Sequence, residues 1–153
     1  MDGRDETELE RWDRNFNELL QELRVAQTGV QILFAFLLTV AFSNRFAGVS
    51  GLEKWVFVVT LLCAATATAL LIAPVSYHRL VFRQGRKPEL VHVATTLAKV
   101  GLLFLGAAIV GTVFLALDEV AGGIVAVTGT VAVALLYLSL WYLLPVVNGA
   151  RRA

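Results

Sequence analysis

Residues 9–38 read LERWDRNFNELLQELRVAQTGVQILFAFLL and pass from a charged segment into an apolar one without a break. Apolar residues in the charged half recur at alternating spacings of three and four, and they form the predicted oligomer seam: Leu9, Trp12, Phe16, Leu19 and Leu23. This heptad spacing is typical of a helix that packs against another helix. We therefore expect one helix from about residue 7 to residue 42.

The composition of the chain indicates a membrane protein. Of 153 residues, 58% are hydrophobic and only 16% are charged, which is too apolar for an ordinary soluble domain. Four apolar runs are long enough to cross a hydrocarbon layer of ~30 Å: residues 25–42, 55–77, 96–117 and 120–144. Backbone groups in lipid need partners within their own segment, so these runs should be helices. The predicted fold is all-α, an integral membrane four-helix bundle.

The predicted organisation has three parts. Residues 1–24 form an acidic cytoplasmic helix continuous with the first span, residues 25–145 form the membrane domain, and residues 146–153 form a basic cytoplasmic tail. Lysine and arginine concentrate near both termini and between spans two and three, whereas the other side holds only Arg45 and Lys54. The positive-inside rule then predicts a multi-pass protein with cytoplasmic N- and C-termini. We expect the first span to be retained, because no cleavage site follows a short apolar region.

The charged half of the first helix predicts a partner. Residues 2–24 contain eight acids and four bases, a charge that anionic lipid would repel, so a protein partner is favoured over the membrane surface. That partner is either another copy, giving a homo-oligomer, or the basic loop after span two. Glu18 and Glu22 share one helix face and are candidates for interhelical ion pairs with Arg79 and Lys99. The alternative is that these cations contact the membrane interface.

Four polar residues cross the boundary between the charged and apolar halves: Arg24, Gln27, Thr28 and Gln31. At about 100° per residue they fall in a single arc of the helix. If the hydrocarbon begins near Val25, Gln31 lies roughly 9 Å inside at a rise of ~1.5 Å per residue. An amide at that depth should face another helix or water. Two interpretations remain open: interhelical hydrogen bonding, and a cytoplasmic-side vestibule that lines a pore.

The rest of the sequence contains few candidate functional residues. His78 and His92 are pH-sensing candidates, since histidine titrates near neutral pH. Cys63 is the single cysteine, which excludes an intrachain disulfide and a cysteine-based metal cluster. We find no nucleophile with a base, no metal-ligand cluster and no phosphate-binding loop, so we expect no enzyme activity, no cofactor, no metal and no nucleic acid partner. The spans also lack a mid-membrane acid, which disfavours a conventional proton-coupled antiporter.

Two sequence blocks resemble those of a known family. The blocks ELLQELRVAQTGVQILFAFLL (18–38) and APVSYHRLVFR (73–83) are similar to the signatures of an uncharacterised actinobacterial family of small four-span membrane proteins. Some members of that family carry a sodium/proton antiporter label. The resemblance covers nearly the whole chain from about Arg14. It implies a bacterial plasma membrane protein. The family pattern covers the following polar and charged residues of this sequence: Glu18, Glu22, Arg24, Gln27, Gln31, His78 and Arg79.

Two functions are consistent with these patterns. The first is an oligomeric ion channel or transporter in the lipid bilayer, with a monovalent ion passing through a polar vestibule on the cytoplasmic side. The second is a non-transporting membrane scaffold or stress-related protein that binds a partner through its N-terminal helix. The sequence does not name the ion or the partner.

Overall fold

The structure is a computed structural model that describes residues 7–44, 48–49, 51–81 and 87–150, without the side chains of residues 9, 80–81, 87–88 and 148–150. Its helices are α1 (Glu8–Ala41), α2 (Gly51–Val81), α3 (Lys87–Ala121) and α4 (Gly123–Leu138). A π-helical stretch, Ser139–Leu143, and a short helix α5 (Leu144–Ala150) continue from α4. The described residues contain no strand, so the fold is all-α.

Four stretches of these helices are long and apolar enough to cross a membrane: Glu10–Ala41, Gly51–Arg79, Glu89–Ala121 and Gly123–Val147. They correspond to the four predicted spans. Helices α1, α2 and α3 each extend beyond the predicted span at one end at least, because a helix continues as long as its backbone is hydrogen-bonded, whereas the apolar pattern marks only its middle. Helix α4 begins and ends inside its predicted span, and the π-helical stretch and α5 continue it beyond residue 144.

Helix α1 begins with a capping box. The backbone N–H and the hydroxyl of Thr7 donate to Glu10 Oε2 at 2.8 Å and 2.7 Å, and the N–H of Glu10 donates to Thr7 Oγ1 at 3.3 Å. These bonds occupy N–H groups that the first turn of a helix cannot pair. The cap explains why α1 starts at Glu8. From there the helix runs from the charged half into the apolar half without a break, as expected.

The break between α3 and α4 differs in place from the expected one. The predicted spans 96–117 and 120–144 leave Asp118 and Glu119 as the turn between them, but α3 continues through both residues to Ala121. The break is at Gly122, whose φ of 83° is open to glycine because it has no Cβ. The N–H of Gly122 donates to Asp118 O at 3.1 Å and closes the last turn of α3. Charged residues end the apolar run here, and glycine ends the helix.

The chain divides into two compact units. The first consists of Met1–Leu37 and Ala64–Leu105, and the second of Leu38–Cys63 and Gly106–Ala153. In the first unit, the buried residues of α1 are spaced by seven, since Phe16, Leu23, Val30 and Leu37 are at most 5% exposed. They belong to a core with α2 and α3 that contains Ala64, Ala67, Leu71, Pro74, Leu90, Ala94, Ala98 and Leu105.

The helices of the first unit approach closely where α3 carries a small residue. A Cβ added to Gly101 would lie 2.9 Å from Leu71 Cδ2. Small residues at such points allow two helix backbones to come together, as in membrane helix pairs. Leu71 is fully buried at this crossing.

The second unit also packs through glycines. A Cβ on Gly111 would overlap the hydroxyl group of Thr60, which itself is 3% exposed and donates to Val56 O at 2.7 Å. A Cβ on Gly129 would lie 2.6 Å from Leu117 Cδ1, and one on Gly106 would lie 3.8 Å from Trp141 Cζ3. Because position 129 faces 117 and position 141 faces 106, the adjoining parts of α3 and α4 are antiparallel.

Candidate functional site

The predicted seam of α1 is packed within the first unit. Phe16 and Leu23 are buried and Trp12 and Leu19 are half-buried, while the side chain of Leu9 lies outside the described residues. Phe16 packs in a core with Leu90 and Ala94, and Leu19, Leu20, Tyr77 and Val91 surround it. The sequence left two partners open for the seam, another copy or a part of the same chain. The buried side chains of the seam, Phe16 and Leu23, pack within the same chain.

An aromatic stack joins α1 to the end of α2. The rings of Phe16 and His78 have centroids 4.9 Å apart and planes inclined by 17°, which is a stacked arrangement. His78 is half-buried, whereas His92, the other pH-sensing candidate, is exposed on α3. The stack therefore places one candidate histidine in direct contact with the seam.

A side chain of the polar arc bonds to the backbone of α2. Gln27 Nε2 donates to the carbonyl oxygen of Leu71 at 2.7 Å, in a partly buried position. Leu71 belongs to the turn before Pro74, which lies inside α2 and is fully buried. Pro74 has no N–H to donate to the carbonyl of Leu70, four residues earlier, so the backbone bonding of α2 is interrupted in this turn. Gln27 donates to the adjacent carbonyl, that of Leu71.

The other members of the polar arc lie on the outer surface of α1. Arg24, Thr28 and Gln31, here named the polar strip, are all exposed. The hydroxyl of Thr28 donates to Arg24 O at 3.0 Å, within the helix. Beside the polar strip runs an apolar strip formed by Val25, Ile32 and Phe36, which are 77%, 67% and 56% exposed. The exposed surface of α1 thus consists of a polar strip and an apolar strip that run side by side along the helix.

Contacts in the first unit fix the level of these residues. Leu71 touches both Gln27 and Gly101, so these three positions share one layer of α1, α2 and α3. Arg24 is three residues from that layer and Lys99 is two, roughly 4.5 Å and 3 Å along their helices toward the charged half of α1. Gln31 lies about 6 Å to the opposite side, among apolar residues. Arg24 and Lys99 therefore occupy nearly the same level.

The charged candidates are not joined to one another in the described residues. Glu18 forms an ion pair with Arg14 of the same helix, with Nε and Oε1 3.9 Å apart. Glu22, Arg79 and Lys99 are exposed, and the described part of the chain shows no ion pair among them. An exposed i,i+4 pair such as Arg14–Glu18 contributes only ~0.5 kcal/mol.

Sequence reasoning missed the partner of Gln27. The signal was present: a proline inside an apolar run opens a helix turn, and a glutamine beside a heptad seam is placed to reach a neighbouring helix. The sequence did not show that Gln27 lies beside that turn, because apolar runs do not reveal the axial offset between two packed helices.

Comparison with known proteins gives one match. The family model described as "Family of unknown function (DUF6328)" matches residues 5–145. No curated protein and no solved structure matches the chain.

Proposed function

Because the chain belongs to DUF6328, a family of unknown function, we propose its function from the surface of α1. The protein is an oligomeric integral membrane protein that passes a small monovalent ion along its polar strip, as a channel or transporter. The observation that carries this proposal is the exposure of Thr28 and Gln31 beside an apolar strip on the same helix.

The chemistry of the two strips supports a role for water or a polar partner. The apolar strip is suited to lipid, because its side chains have no hydrogen bonds to lose. The amide of Gln31 faces lipid only at a large desolvation penalty, and it lies beyond the layer of Gln27 on the apolar side. A hydrated route lined by amides and hydroxyls meets this demand, and such groups replace part of the hydration shell of an ion.

The proposed location is the bacterial plasma membrane, with both termini in the cytoplasm. The excess of lysine and arginine on the side of the termini supports this orientation. The shared level of Arg24 and Lys99 also supports it, since both side chains are long enough to reach the cytoplasmic headgroup layer from there.

Ion flux into liposomes containing the purified protein tests the proposal. Sodium, potassium, proton and chloride gradients are applied separately to the wild type, to Gln31→Leu and to Gln21→Leu. We expect selective flux that Gln31→Leu changes and Gln21→Leu leaves intact, because Gln21 is the same residue type in the charged half of α1. Sodium flux driven by a proton gradient would identify the antiporter form suggested by the resemblance. Absence of flux under every gradient would contradict the proposal.

A second function, that of a non-transporting scaffold or stress-related protein, is favoured by one observation. The charged half of α1 is fixed to its own chain by Phe16 and Leu23, yet Glu18 and Glu22 remain exposed. A rigid helix that presents carboxylates is suited to a basic partner protein. Replacement of both glutamates by glutamine would then abolish co-purification of that partner and leave liposome behaviour unchanged, whereas ion flux through the wild type would contradict a purely scaffolding role.

A further inference from the structure

We propose that the polar strip of α1 is covered by the polar strip of a second copy, so that two α1 helices pair in parallel. This inference rests on the proposed membrane location and not on the proposed ion route, with which direct pairing of the two strips competes. It differs from the sequence prediction of an oligomer seam, because the innermost residues of that seam, Phe16 and Leu23, are buried by the chain itself. The self-association surface is therefore a different face of the same helix.

The polar strip is the part of α1 whose polar side chains need hydrogen-bond partners from outside the helix. Positions 16, 23, 30 and 37 point into the first unit, and Gln27 is engaged with Leu71. The apolar strip satisfies lipid without help. Thr28 and Gln31 are left on the surface at the level of the apolar half, where the cover must itself come from a membrane-inserted helix or from water.

A second copy is the occupant that fits the strip best. Copies inserted in the same orientation place identical residues at identical depths, so Gln31 meets Gln31. An amide carries both donors and an acceptor, and two amides can therefore pair with each other. The oxygen of Thr28, whose proton goes to Arg24 O, retains acceptor lone pairs for such an amide. Thr28 and Gln31 therefore find their complements in the same two residues of the second copy.

The spacing of the strip also favours a helix pair. The sequence positions 24, 28, 31 and 35 alternate steps of four and three, which is a second heptad seam on α1. Thr28 and Ala35 are small residues one heptad apart, and they allow close approach of two helices. Arg24 lies at the charged end, where its long side chain can turn outward to the headgroups and avoid its copy.

Disulfide cross-linking in native membranes tests this contact. Cys63 is the single cysteine, so a Cys63→Ala background carries one new cysteine at a time. Strip positions are sampled by Thr28→Cys, Gln31→Cys and Ala35→Cys, and the matched controls Ile32→Cys and Phe36→Cys sample the apolar strip. Bridged Cα atoms lie about 4.4–6.8 Å apart, so only residues at a parallel interface cross-link efficiently with their own copies.

We expect oxidation to give several times more covalent dimer with the strip cysteines than with the control cysteines. Equal yields at all positions, or a higher yield on the apolar strip, would overturn the proposal. Strip cysteines that stay monomeric and react with a water-soluble maleimide would overturn it in favour of a water-lined face. Three strip positions guard against one variant that fails to fold. Cross-linking does not depend on flux, so a paired but non-conducting protein would contradict only the proposed transport.

Discussion

Gln27 and Leu71 connect two helices through a single hydrogen bond, from Nε2 of the glutamine to the carbonyl oxygen of the leucine, at 2.7 Å. The acceptor lies in the turn before Pro74, next to the Leu70 carbonyl that the proline cannot pair, so the bond joins α1 to α2 beside this interruption of the helix. Of the four polar residues in the arc, Gln27 thus has a structural role, and the question of a functional role passes to the exposed residues of the polar strip.

Loss of this bond should destabilise the first unit. Gln27→Leu removes the interhelical hydrogen bond to the Leu71 carbonyl, which we expect to cost about 1 kcal/mol of unfolding free energy. Gln21→Leu is the matched control, because Gln21 is exposed on the same helix outside the polar strip and the change should be nearly neutral. Reversible unfolding of the purified protein in mixed detergent micelles measures both. Equal stabilities of the two variants would contradict the role assigned to Gln27.

The stack of Phe16 on His78 should anchor the charged half of α1. Phe16→Ala opens a cavity in the core around Leu90 and Ala94, with an expected loss of roughly 3 kcal/mol. Phe36→Ala changes the same residue type on the exposed apolar strip and should cost far less. Hydrogen exchange of residues 8–24 measures the effect locally: amides there should lose protection in the first variant only. Unchanged exchange in Phe16→Ala would show that the stack does not hold this segment.

Gly111 should be intolerant of a side chain. Its added Cβ would overlap the hydroxyl group of buried Thr60, so Gly111→Ala should destabilise the second unit by about 1–3 kcal/mol. Thr60→Ala in the same chain removes the obstacle and should restore most of the loss. Gly29→Ala is the control, since nothing lies within 4 Å of its Cβ and alanine favours the helix. Thermal unfolding in detergent would contradict this account if the double variant were no more stable than Gly111→Ala.

The break between α3 and α4 should depend on one glycine. At φ 83° and ψ 173°, Gly122 has a backbone conformation that is open essentially to glycine alone, so Gly122→Ala should cost about 1–3 kcal/mol. Gly123→Ala, one residue later, meets no atom within 4 Å and lies in helix α4, where it should be neutral or stabilising. The two variants are compared by unfolding under identical conditions, and similar midpoints would be inconsistent with strain at Gly122.

The sequence was informative about the helices and less so about their contacts. The four apolar runs and the heptad spacing of Phe16 and Leu23 predicted the helices and the buried face of α1, because both follow from local periodicity. The turn at Gly122 was misplaced, since charge marks the end of an apolar run and backbone conformation marks the end of a helix. The bond between Gln27 and Leu71 depends on the offset between two helices, which local pattern does not encode.

The spacing by seven of the buried residues of α1 restricts how that helix can move. Phe16, Leu23, Val30 and Leu37 fill four positions in the core of the first unit. A shift of α1 by one residue, about 1.5 Å with a turn of about 100°, would remove all four side chains from that core at once. Apolar residues return to all four core positions after a shift of four residues, roughly 6 Å along the axis, which places Trp12, Leu19, Ala26 and Leu33 there. Within the first unit α1 therefore has discrete packed positions about one helical turn apart, and shifts much smaller than a turn would expose its buried side chains.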